Sequence, residues 1–197
     1  MRLLIVLASL VAVGYGIVQW RAQRAESWQA GDYIHAEPKQ TPTDAAAFTY
    51  KAFRIQPLAR FEMEARALHT MSYRFDEGAA LVPVDVAFAW GRTSDQRVLD
   101  QLDIGQGARF YTWRYEGEPP LPPAEISASS ANMHLIPADA GVAKRIAAIH
   151  PGQRVWLKGY LVEASRDDGW HWRSSLTRLD TGNGACELVY VEDIELR

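Results

Sequence analysis

Cysteine is nearly missing from this chain of 197 residues: Cys186 is the single one, so no internal disulfide framework can form. Positive charge is not in excess either. Lys and Arg number 21 against 24 Asp and Glu, and the net charge of −3 offers no electrostatic footprint for nucleic acid. Among the ligating residues His134, Asp139, Cys186 and Glu187 no pair has zinc-type spacing, so no metal is expected. The glycine-rich turn "DTGNG" lacks the strand-turn-helix setting of a phosphate loop, and no other cofactor signature is present. Repeats and low-complexity tracts are absent. What remains is 48% apolar and 23% charged, a globular composition rather than a disordered one.

Long hydrophobic runs are equally scarce, and the one that exists is at the start. In "MRLLIVLASLVAVGYGIVQWRAQR" the stretch from Leu3 to Trp20 is uncharged. As a helix it would reach about 27 Å, close to the ~30 Å of a hydrocarbon core. Trp20 and Arg21 stand where an interfacial aromatic and a snorkelling cation belong. The segment 1–24 therefore reads as a transmembrane signal-anchor. A cleaved signal peptide, cut after Ala12-Val13-Gly14, is the competing reading. Flanking charge discriminates orientation weakly, but a short N-terminal segment before a compact domain usually exports that domain. The expected place is a single-pass position in a membrane with the domain outside the cytoplasm.

Residues 25–50 mix Pro38, Pro42 and scattered charges without period, as a linker would. From 51 to 197 strands predominate, as seven Trp, eight Tyr and six Phe favour. "FRIQPLARFEMEARALHTMSYRF" suggests two strands bent at Pro57, and "VPVDVAFAWG" another. Thr93 or Ser94 caps a short helix bearing Val98, Leu99 and Leu102, with Gly105 as its stop. "ARFYTWRYE" alternates strictly, and "EISASSANMHLIP" reads as one strand. "ADAGVAKRIAAIHPG" is a second helix with Asp139 at its start. "QRVWLKGYLVEAS", "WHWRSSLTRL" and "CELVYVEDIEL" close the chain as strands, the last two joined as a hairpin. The sum is a β-rich α+β domain: a twisted antiparallel sheet or partial barrel with two short helices, preceded by a transmembrane helix.

The stretches "SANMHLIPA", "GYLVEA" and "WRSSLTRLDTGNGACELVYVE" resemble a group of uncharacterised bacterial proteins with an N-terminal membrane segment. The likeness spans roughly residues 55–197 and is strongest after 127. It implies a membrane-associated bacterial protein, so the expected place becomes a single-pass position in a bacterial inner membrane with the domain facing the periplasm and an envelope protein as partner; it brings no activity, cofactor or catalytic residue.

Residues able to carry chemistry cluster in the C-terminal half. Alternation places Ser130, Asn132 and His134 on one strand face, which suits either a polar cleft or a solvated surface. Trp170 and Trp172 oppose His171 and Arg173; the tryptophans suit a stacking platform or the core, and Arg173 a carboxylate clamp. Asn132, Trp172 and Arg173 are thus the candidates for ligand binding. The catalytic candidates are Cys186, with His134 as its base and Arg178 beside the thiol to favour thiolate. An anchor, a β-rich domain and His, Cys and Arg loosely resemble sortase-type transpeptidases. Those enzymes carry Leu-x-Thr-Cys, whereas Cys186 follows Asn-Gly-Ala. Cys186 is also in phase with Leu188 and Tyr190, as a small buried hydrophobe would be. Two functions follow: a non-enzymatic, membrane-anchored binding or envelope-assembly module, or a cysteine-dependent hydrolase or transpeptidase using Cys186 and His134.

Overall fold

The computed structural model describes residues 28–177 and 186–197. The expected anchor over 1–24 and the candidate Arg178 lie outside them. Among the described residues no helix is long and apolar enough to cross a membrane.

Among the described residues, ten strands and three short α-helices make a β-rich α+β structure built on one mixed sheet. The strands are β1 (Lys39–Thr41), β2 (Phe48–Tyr50), β3 (Phe53–Ser72), β4 (Val84–Ala89), β5 (Asp103–Gly107), β6 (Phe110–Arg114), β7 (Ser130–Pro137), β8 (Arg154–Ser165), β9 (His171–Arg173) and β10 (Glu187–Leu196). The helices are α1 (Gln96–Leu99), α2 (Pro123–Ala128) and α3 (Ala140–Ile146). Eight strands share the large sheet, while β5 and β6 form a separate hairpin. β3 pairs with β4 through its second half and with β8 through its first. The pairings β3–β4–β7–β10–β8–β3 therefore run in a closed circuit. All are antiparallel except β7–β10, so the wholly antiparallel sheet of the sequence reading is corrected to a mixed one.

β3 is a single strand where two were expected. Its register shifts between Pro57 and Ala59, a bulge that bends the ribbon and accommodates a residue without an N–H. Phe53 and Ile55, ahead of the bulge, pack with Leu188, Trp170 and Trp172. Phe61, Met63 and Ala65, beyond it, face the interior of the circuit with Val86, Phe88 and Leu135. α3 adds Val142 and Ile146 to that interior, and Asp139 Oδ1 caps it by accepting from the Val142 amide at 2.8 Å. One glycine is indispensable here. A Cβ on Gly159 would stand 1.9 Å from the Tyr190 carbonyl oxygen, where β8 and β10 approach beside the Val191/Asp193 bulge.

Other boundaries also moved. "EISASSANMHLIP" divides into α2 and β7, because Pro123 at the first helical position starts a helix that Ser129 ends. The helix expected to run to Gly105 stops at Leu99, is capped by Asp95, and yields to β5. The segment 28–50, read as linker, supplies β1, β2 and Ile34, which is 2% exposed. Among the described residues no strand ladder joins 170–177 to 186–195, where a hairpin was expected; one backbone bond, Ser175 to Cys186, links them, while β9 pairs with β8 and β10 lies between β7 and β8. A strand as buried as β10 needs a partner on each side.

Candidate functional site

The polar residues singled out in β7 meet at the outer face of the circuit. Asp85 and His134 are direct cross-strand partners, as are Ala87 and Asn132. The solvated surface that such a face suggested is excluded, since Ser130, Asn132 and His134 are 7%, 4% and 2% exposed. β10 runs parallel with Leu188 opposite His134, so Cys186 arrives beside Asn132, its Sγ 4.0 Å from Nδ2. His134 is held elsewhere. Its Nδ1 lies 2.9 Å from Asp85 Oδ1, and its ring centroid is 4.5 Å from that of Trp172. The imidazole is not turned to give Nδ1 an aligned hydrogen bond among the described residues. Asp85 is fully buried, and its Oδ2 has no hydrogen-bond partner among the described residues.

What covers this face is the β5–β6 hairpin. Its two-residue turn, Ala108-Arg109, has φ of 49° and 69°. Both residues are left-handed, as a type I′ turn requires, at roughly 1 kcal/mol per non-glycine residue. That turn aims Arg109 into the site. Its Nη1 donates to Asp85 at 2.7 Å, its Nε and Nη2 to Asp76 at 2.9 and 2.7 Å, and both Nη atoms to the Val82 carbonyl at 3.1 Å. These contacts employ all five guanidinium N–H donors. The group lies 3.7 Å from the Tyr73 ring centroid and 5.5 Å from that of Trp172. The Arg109 amide donates to Tyr73 Oη, and its carbonyl accepts from Asn132 Nδ2 at 2.8 Å and from Cys186 Sγ at 3.9 Å. Gln106 extends the network, donating to Asn132 Oδ1 and meeting His69 Nδ1.

Electrostatics follow the contacts. The Arg109 hydrogen bonds beside Asp76 hold that carboxyl below its ordinary value of 3.8. Burial raises the Tyr73 phenol above its ordinary 10.0. Gly78 of the loop 73–83 lies against Trp172: a Cβ there would stand 2.7 Å from the indole ring.

His134, Asn132, Cys186 and Trp172 are thus brought to one face, although the groups around the imidazole are Asp85 and Trp172 rather than the thiol. Arg173 is not there. It lies exposed on β9 in an ion pair with Glu163 of β8. Sequence reasoning missed Asp85, Arg109, Asp76 and Tyr73. One signal was available: a lone carboxylate inside the apolar run "VPVDVAFAW" demands a buried cation or donor. Comparison with protein-family models, with characterised proteins and with solved structures finds no match.

Proposed function

We propose that this chain is a membrane-anchored module on the periplasmic side of a bacterial inner membrane, binding a ligand or partner at the outer face of β4 and β7. The observation that carries the reading is the convergence just described. Polar and aromatic side chains from two strands, the loop 73–83, the segment 166–177 and the first residue before β10 meet on one face. A stable core needs no such buried ionic assembly, which apolar residues of the same volume replace at little or no loss.

The strand circuit gives that face a precedent. Five strands in the order β3–β4–β7–β10–β8, with one parallel pair and a helix between the third and fourth in sequence, have the Greek-key arrangement of OB-type barrels. Barrels of that class bind ligands on the face of the second and third strands, between the loops joining strands one to two and four to five. β4, β7, the loop 73–83 and the segment after β8 occupy those places. The apolar N-terminal segment supports the envelope location. The cysteine-dependent alternative draws less support, because the thiol meets Asn132 and the Arg109 carbonyl and no contact joins it to the His134 ring among the described residues.

Photocrosslinking in cells tests the reading. A photoreactive residue replaces Phe75, 98% exposed in the loop 73–83, or Phe110 beside the hairpin tip; Lys144, exposed on α3, is the control. Discrete envelope-fraction adducts from the first two positions and none from the third are expected. The same products from all three, or none from any, would count against a binding face.

A further inference from the structure

Arg109 sits as a ligand would. Two carboxylates, one fully buried, face this one guanidinium, with a backbone carbonyl in its plane and a tyrosine ring stacked on it. The arginine comes from a two-residue turn whose residues are both held in a left-handed conformation. Beyond the turn, the hairpin is half-buried or exposed along most of its length. One buried oxygen, Asp85 Oδ2, still has no hydrogen-bond partner among the described residues. The box is therefore richer in negative acceptors than its own occupant satisfies.

We infer that Tyr73, Asp76, the Val82 carbonyl, Asp85 and Trp172 form a guanidinium-recognition box that Arg109 fills in cis. The exogenous ligand is an arginine side chain on a partner polypeptide, which displaces the hairpin tip. This rests on the binding face proposed above and gives it a chemistry. Planar bidentate pairing with Asp76 and stacking on Tyr73 select a guanidinium over an ammonium, which has no plane to stack and no fork to match. A neutral residue at that position would leave Asp85 buried without a countercharge. Displacement also has a built-in reporter. The carbonyl of Arg109 accepts at 3.9 Å from the Sγ of Cys186, the single cysteine of the chain and a half-buried one, so lifting the tip removes that contact and changes the reactivity of the thiol.

The test uses the purified full-length chain in detergent and the blocked tripeptide acetyl-Ala-Arg-Phe-amide, which copies the hairpin tip. Its citrulline and lysine counterparts, and methylguanidinium as the free ion, are the comparisons. Arg109→Ala is expected to bind the arginine peptide at least tenfold more tightly than the wild type and to gain melting temperature with it. Adding Asp85→Asn should abolish that gain. In the wild type, iodoacetamide labelling of Cys186 should accelerate several-fold with the arginine peptide and not with the citrulline or lysine forms. If Arg109→Ala does not fold, the wild-type labelling decides alone. Equal affinity of Arg109→Ala and wild type, equal response to citrulline or lysine, or a response to methylguanidinium without one to the peptide overturns the inference. Photocrosslinks from Phe75 and Phe110 persisting beside such a failure would leave the binding face standing with a different ligand chemistry.

Discussion

Asp85 stands in β4 among residues that are all buried, its carboxylate paired with Arg109 and 2.9 Å from His134 Nδ1. Replacing it with Asn keeps the shape and removes the charge that Arg109, only 16% exposed at its side chain, was set against. Urea denaturation should show a loss on the order of 3 kcal/mol, the usual consequence of breaking a buried pair from one side. Arg60→Gln is the contrast: its ion pair with Glu192 is solvent-exposed, and no measurable change is expected. Asp76 gives a pH signature at the same cluster. Its carboxyl is depressed in the folded state, chiefly by hydrogen bonding to Arg109, so the stability it contributes is present above its unfolded value near 3.8 and fades as pH falls through the lower folded one. Melting temperature against pH should therefore fall more steeply below about pH 4 in the wild type than in Asp76→Asn. Parallel curves would mean that the Asp76–Arg109 contact contributes nothing in solution.

Among the elements, β8 and β10 approach closely at Gly159, and Gly159→Ala addresses that contact directly. The new methyl would meet the Tyr190 carbonyl at 1.9 Å, a backbone atom that cannot move without breaking the ladder of β10. A loss of roughly 3 kcal/mol or more by calorimetry is expected; a change below 1 kcal/mol would mean that the two strands part easily. Legibility from sequence also divides at this scale. Strands that alternate, such as β6 and the first half of β3, were visible because one face is wet. β4 and β7 were visible as strands, but the direction of their polar faces was not, because β7 is buried on both sides by a hairpin distant in sequence. Local pattern favoured a hairpin between β9 and β10. The choice was made instead by β10, which needs hydrogen-bonding neighbours on both edges and finds them in β7 and β8. Half the site was legible for the same reason. His134, Asn132 and Cys186 share strand phase, while Arg109 reaches them only through a tight turn whose strained residues, alanine and arginine, carry none of the usual Asn-Gly signature.

For the whole molecule the decisive question is where the folded unit starts. Composition placed the boundary near residue 51, since the preceding stretch has prolines, small residues and no period. The packing places it earlier. Trp28 Nε1 donates to the Gly152 carbonyl, and its ring lies under the guanidinium groups of Arg66 and Arg154 at 4.5 and 5.0 Å. Ile34 bridges to Gly91 and joins the interior cluster, β1 extends the sheet beside β3, and Phe48 and Tyr50 of β2 pack on Tyr190. Burying one large apolar side chain completely contributes about 2 kcal/mol; Ile34 is buried and Trp28 and Phe48 are half-buried, so their joint loss removes a large share of the stability of an ordinary domain. Two truncations separate the boundaries. The fragment 25–197 is expected to be soluble and to melt cooperatively, because the removed residues include the apolar run and none of these contacts. The fragment 51–197 should aggregate or melt without a sharp transition, having lost β1, β2 and the cover over Arg66, which would leave the edge of β3 bare. Equal melting of the two fragments would restore residues 25–50 to the role of a linker; aggregation of both would tie the segment 1–24 to the fold itself.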